Sequence, residues 1–168
     1  EGFPKIDKKD SLGKSETLQK GGFNVDESSL EDLHRAIKLF DENRLMNHIP
    51  KCEIIKGDVG QTLPEYLDKN PHLLVSLLHL DADLYEPTKI SLENIIPRMP
   101  KGAVILFDEL NMDLFPGETI ALLESLNINQ KKIERFSFAT SMSYLIIWFV
   151  NPINILEFRN ILPFIVSR

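Results

Sequence analysis

The stretch LLHLDADLYEPT, residues 78 to 89, decides the fold. An apolar run from Leu73 to Leu80, broken by Ser76 and His79, ends in Asp81 and Asp83, and an acidic-Pro-Thr step then opens a helix. Such a run reads as a strand, over 73–80, buried in a parallel sheet. Its carboxylates then fall at the strand's C-terminal end, where open α/β sheets place their ligands. The pattern recurs at GAVILFDEL, where a second apolar strand, over 103–107, ends in Asp108 and Glu109.

Outward from these strands the chain alternates. Before them, Ser28-Ser-Leu-Glu31 forms a capping box, and Leu30, Leu33, Ile37 and Phe40 recur at helical spacing, which predicts a helix over about 29–43. CEIIKGDV reads as a short strand closing in a Gly-Asp turn, and the capping box Thr62-Leu-Pro-Glu65 opens a short helix through Leu67. Between the two acidic strands a helix runs from Pro87 to about Ile96, where Pro97 and Pro100 stop it. After them come a helix from Pro116 to about Leu126 and two strands, KIERFSF and SYLIIWFV, joined closely enough for an antiparallel hairpin. This order predicts an α/β fold: a mostly parallel sheet covered by helices on both faces, with the antiparallel hairpin at its C-terminal side. Residues 1–24 are polar and Gly/Lys-rich and read as a loop or lid contributing nothing to the core. Residues 151–168 read as an amphipathic tail, leaving one domain over 1–150.

Bulk properties narrow the function. At 168 residues, 43% hydrophobic and 26% charged, the chain can bury a core of its own. A net charge of -6, a pI near 5.2 and no basic run longer than Lys8-Lys9 or Lys131-Lys132 argue against a nucleic-acid or membrane-surface partner. The expected partner is a small molecule or a protein. The single cysteine, Cys52, excludes an internal disulfide framework and suits a reducing, cytoplasmic setting. SYLIIWFV is too short to span a bilayer.

Neighbouring strands lie about 5 Å apart, so acids at the ends of 73–80 and 103–107 converge on one small volume. Asp81, Asp83, Asp108 and Glu109 would then repel one another unless a cation or a proton is shared among them. An all-oxygen set selects a hard metal, Mg²⁺ first, with Ca²⁺ or Mn²⁺ as alternatives. Acids after strands also serve as turn residues and helix caps, and that reading stays open for each one alone. Asp58 could accept a hydrogen bond from a ligand, although its Gly-Asp spacing favours turn chemistry. His79 reads as a core histidine in preference to a base, Glu118 as a first-turn acid complementing a helix dipole, and Trp148 and Phe149 as core. Tyr85 and Glu86 fit either a site lining or a helix start.

These residues carry a resemblance. EGFP at the start, GDVGQTLPEYL, LLHLDADLYEPTKISLENIIPRM, KGAVILFDEL and FPGETIALLE, in this order and spacing over about residues 1–148, are similar to the macrocin O-methyltransferase family of S-adenosylmethionine-dependent enzymes. The resemblance implies a Rossmann-like class I methyltransferase sheet and Mg²⁺-dependent O-methyl transfer to a hydroxyl of a sugar or natural product. It implies Asp81, Asp108 and Glu109 as metal ligands, Asp83 as general base, and Asp58 at the cofactor adenine. The family has Asp-Asp where this chain has Asp108-Glu109, which lengthens one ligating arm. The family's Gly-rich loop and ribose-binding acid precede the EGFP step, and this chain contains neither. The expectation is therefore a chain that carries the C-terminal two thirds of the fold without the first cofactor-binding strands, and that forms a homo-oligomer through its open sheet edge.

Two other readings stand beside it. An apolar strand followed by Asp-x-Asp also opens haloacid-dehalogenase phosphohydrolases, and metal-dependent glycosyltransferases use an Asp-x-Asp site. In the first the motif stands near the chain start, whereas a helix and a strand precede it here. A non-catalytic binding module is the non-enzymatic alternative.

Overall fold

The computed structural model describes residues 27–148 and, ahead of them, Phe3, Lys5–Asp10, Leu18, Gln19 and Gly22. The expected tail over 151–168 and the rest of the N-terminal segment lie outside the described residues.

The helices and the sheet follow the predicted order. Helix α1 spans Glu27–Glu42 and α2 spans Val59–Lys69. Strand β1, Leu77–Leu80, leads into α3, Tyr85–Ile95, and a 3₁₀ turn at Ile96–Arg98. Strand β2 is Val104–Phe107, α4 is Pro116–Ser125, and β3 (Ile133–Arg135) and β4 (Ser143–Ile146) form the hairpin. The strands assemble as one mixed sheet in the order β1-β2-β4-β3. β1 and β2 run parallel, with Leu80 beside Phe107, while β4 pairs antiparallel with both β2 and β3.

One face of this sheet holds the core. Alternation along each strand sends Leu80, Ile105, Phe107 and Leu145 to the same side, where Leu67 of α2, Leu92 and Ile95 of α3 and Leu122 of α4 meet them. Burying a leucine such as Leu92, which has no exposed surface, contributes roughly 2–3 kcal/mol. On the opposite face Val104, Leu106, Tyr144 and Ile146 are half-buried, and Leu77 and His79 of β1 are exposed. His79 is therefore not a core residue. Trp148 is likewise exposed, and Phe149 lies outside the described residues.

The segment predicted as a strand at CEIIKGDV forms none. A strand needs a neighbour for its ladder, and among the described residues 53–57 have none; they run along α2 instead, where the Tyr66 hydroxyl donates to Glu53 at 3.1 Å. The helix also begins earlier than its sequence box suggests. Asp58, in extended conformation, accepts the Gly60 N–H at 2.8 Å and caps α2 four residues before Thr62. The Thr62 hydroxyl then donates back to the Asp58 carbonyl at 3.0 Å. Cys52 is exposed and free, and among the described residues no helix is long and apolar enough to cross a membrane.

Candidate functional site

The site is built by the adjacency of β1 and β2. Their parallel register carries past the strand ends, since the Asp108 N–H donates to the Leu80 carbonyl at 3.2 Å. Asp81–Asp83 and Asp108–Glu109 therefore leave the sheet side by side. Both exits turn through left-handed backbone: Asp83 has φ +58° and Asn111 has φ +64°. Asp and Asn tolerate that region better than other L-residues, yet it still costs free energy, and such conformations concentrate where side chains must be aimed.

Behind these turns stands Glu118. It occupies the first turn of α4, has no exposed surface, and accepts the Glu109 N–H through Oε1 at 3.1 Å. Its Oε2 is buried without a hydrogen-bond partner, as is Oε2 of Glu109. Burial pushes the Glu118 carboxyl up to about 7 against the pull of the Glu109 N–H, and the charges of Asp108, Asp83 and Asp81 add to the rise. Glu109 is raised to about 8, first by burial and then by its hydrogen bond and charge contact with Asp83. A proton on Glu109 thus relieves part of the repulsion that the sequence foresees. Thr119 accepts the Asn111 N–H at 2.8 Å and Arg135 of β3 donates to the Leu110 carbonyl at 2.9 Å, so the loop after β2 is held from two sides.

The four strand-end acids leave adjacent strands, with Asp81 at the exposed rim and Asp83, Asp108 and Glu109 half-buried. Among the described residues no three His, Cys, Asp or Glu side chains are gathered as a ready cation site. The donor chemistry still suits a hard cation, because the set is all oxygen and includes one buried carboxylate oxygen without a partner, Oε2 of Glu109. Asp58 stands apart as the cap of α2, beside a groove of about 350 Å³ lined by Glu53, Ile55, Gly57 and Tyr66.

Two residues that matter here were not found as site residues in the sequence. Glu118 was open to discovery, since it shares the i, i+3, i+4 face of α4 with buried Ala121 and Leu122, so the periodicity places an acid on the core side. Asp10 was not, since it lies in a segment without periodicity. It is buried, and it accepts the N–H of Tyr85 at the start of α3. Tyr85 itself starts that helix, with its hydroxyl donating to Glu124 at 2.6 Å.

Solved structures similar to this chain include methyltransferases. The crystal structure of CalS11, calicheamicin methyltransferase, is similar with a TM-score of 0.80 and 32% identity, over 86% of this chain and 56% of that one. The fold is a methyltransferase fold. The apo structure of CalS11, described as a TDP-rhamnose 3'-O-methyltransferase of calicheamicin biosynthesis, gives 0.69 and 31% over 73% of this chain and 54% of that one. The O-methyltransferase NovP, at 20% identity and a TM-score of 0.54 over 77% of this chain and 48% of that one, shares the fold. This chain spans about half the length of each of these structures. No protein-family model matches it, and no curated protein does.

Proposed function

We propose that this chain carries the catalytic acids of an S-adenosylmethionine-dependent O-methyltransferase of the macrocin O-methyltransferase kind, acting on a hydroxyl of a sugar or natural product. The observation that supports it is the convergence of Asp83, Asp108 and Glu109 at two adjacent parallel strand ends, in a fold shared at 32% identity with a calicheamicin methyltransferase. In the proposed reaction the acceptor oxygen attacks the sulfonium methyl, the methyl–sulfur bond breaks, and Asp83 takes the hydroxyl proton. Asp83 sits in the left-handed turn that follows β1, with the Glu109 carboxyl as its neighbour. Asp81, Asp108 and Glu109 would hold Mg²⁺, and Glu109 would give up its proton to do so. Bound Mg²⁺ would lower the pKa of the acceptor hydroxyl. The groove beside α2, next to Asp58, is the proposed cofactor side.

Calorimetric titration tests this reading, with Mg²⁺ alone and then with S-adenosylhomocysteine or a nucleotide sugar, each with and without Mg²⁺. Mg²⁺ binding that disappears in Asp81→Asn and Asp108→Asn, both still folded, is the expected result. Unchanged metal affinity in both variants would remove the site assignment.

A further inference from the structure

We propose that Asp10 is a positioning residue for the candidate site: its carboxylate caps the first turn of α3 at the point where that turn packs against Gly117 of α4, and so sets how Asp83 and Glu118 face each other. The inference rests on reading the strand-end acids as the reaction site.

Helix α3 begins two residues after Asp83, and its own N-cap residue, Leu84, has no side chain that can accept a hydrogen bond. The first N–H of the helix, at Tyr85, is buried and needs a partner. Asp10, only 1% exposed, supplies it from 75 residues away: Oδ1 accepts the Tyr85 N–H at 2.7 Å. Oδ2 accepts the Asp7 N–H at 2.9 Å, which fixes the carboxylate's orientation. The other side of the wedge is Gly117. A Cβ there would lie 2.0 Å from Asp10 Oδ1 and 2.5 Å from the Tyr85 nitrogen, so α4 meets the α3 backbone at this point only because residue 117 has no side chain. Glu118, the next residue, holds the Glu109 N–H. One carboxylate thus sits where the elements carrying Asp83 and Glu118 touch. Flanking pairs hold the segment down: Lys5 reaches Glu86 at 3.2 Å, and Lys9 pairs with Glu124 and lies over the Tyr85 ring at 3.9 Å.

Amide hydrogen exchange on the full chain tests this with Asp10→Ala, Asp10→Asn and, as a control, Lys9→Ala. Asparagine keeps a carbonyl oxygen for Tyr85 and loses the acceptor for Asp7. In Asp10→Ala, exchange at Tyr85 and at residues 82–84 should rise about tenfold or more, while β2 and β4 stay within about threefold of the parent. Asp10→Asn should restore Tyr85 and release Asp7, and Lys9→Ala should leave 82–85 unchanged. Protection at 82–85 that survives Asp10→Ala would overturn the proposal, as would a uniform loss across the sheet in both Asp10 variants. If Asp10→Ala does not fold, a folded Asp10→Asn with an unprotected Tyr85 amide overturns it and a protected one supports it. A parallel Mg²⁺ titration of the parent separates the two readings: no Mg²⁺ response together with the expected exchange pattern refutes the metal assignment and leaves the positioning role standing.

Discussion

Glu118 is a carboxyl removed from water with one oxygen left unpartnered, and its titration states the consequence. Its folded-state value, about 7, lies above the usual 4.5, so between those values the native chain holds a proton that the unfolded chain has released. Stability from this source is complete below about 4.5 and is lost as pH rises through 7. Glu109, raised to about 8, acts in the same sense. Glu118→Gln keeps an acceptor for the Glu109 N–H and removes the charge. The variant should melt several degrees above the parent at pH 8.5 and show no such gain at pH 5.5; equal shifts at both values would mean that the charge is not what costs stability. At Asp83 the expected effect is kinetic. In a form of the enzyme that turns over, Asp83→Asn should lower turnover roughly 10²–10⁴-fold while metal and substrate affinities hold. Loss of metal binding would make Asp83 a ligand instead of the base. The strand-end acids were legible because an apolar run that stops at Asp fixes their place on a sheet. The buried acid behind them required knowing which face of α4 turns inward. Asp10 left no trace in the sequence, because its role comes from a contact across 75 residues.

Elements follow the same division between local and distant causes. Helices α1, α3 and α4 and the β3–β4 hairpin are written in spacing, prolines and caps, and they form where the pattern puts them. The strand expected at CEIIKGDV fails because strand formation is a property of pairs, and α2 starts early because Asp58 competes successfully with Thr62 for the cap. Helices α3 and α4 meet closely at Gly117. Gly117→Ala there would press against backbone and should lower stability by about 1–3 kcal/mol, read as a fall in denaturation midpoint with an unchanged slope. Gly102→Ala is the useful comparison. Its φ of +92° imposes strain, yet nothing stands within 4 Å, so it should cost about 1 kcal/mol and leave the Tyr85 amide protected. Equal Tyr85 protection in the two variants would mean that the close approach at residue 117 is not what guards that amide.

The molecule exposes apolar side chains at more than one place. β1 is an edge strand among the described residues and Leu77 on it is 58% exposed; Leu39, Phe40 and Leu45, in and after α1, are exposed as well. An unpaired strand edge carrying an exposed leucine favours association. Sedimentation at micromolar concentration should therefore find species heavier than the 19.3 kDa monomer, and Leu77→Lys should shift them toward it. A parent chain that sediments as a monomer would count against this. Strand order has a further consequence, in time. β4 lies between β2 and β3, although it is the last of the four along the chain. A ribosome making this protein releases β2 before the strand that pairs with its other edge, so the nascent chain carries an open template just ahead of Asp108 until residue 146 has emerged. Whatever protects this protein from misassembly during synthesis has to act in that interval.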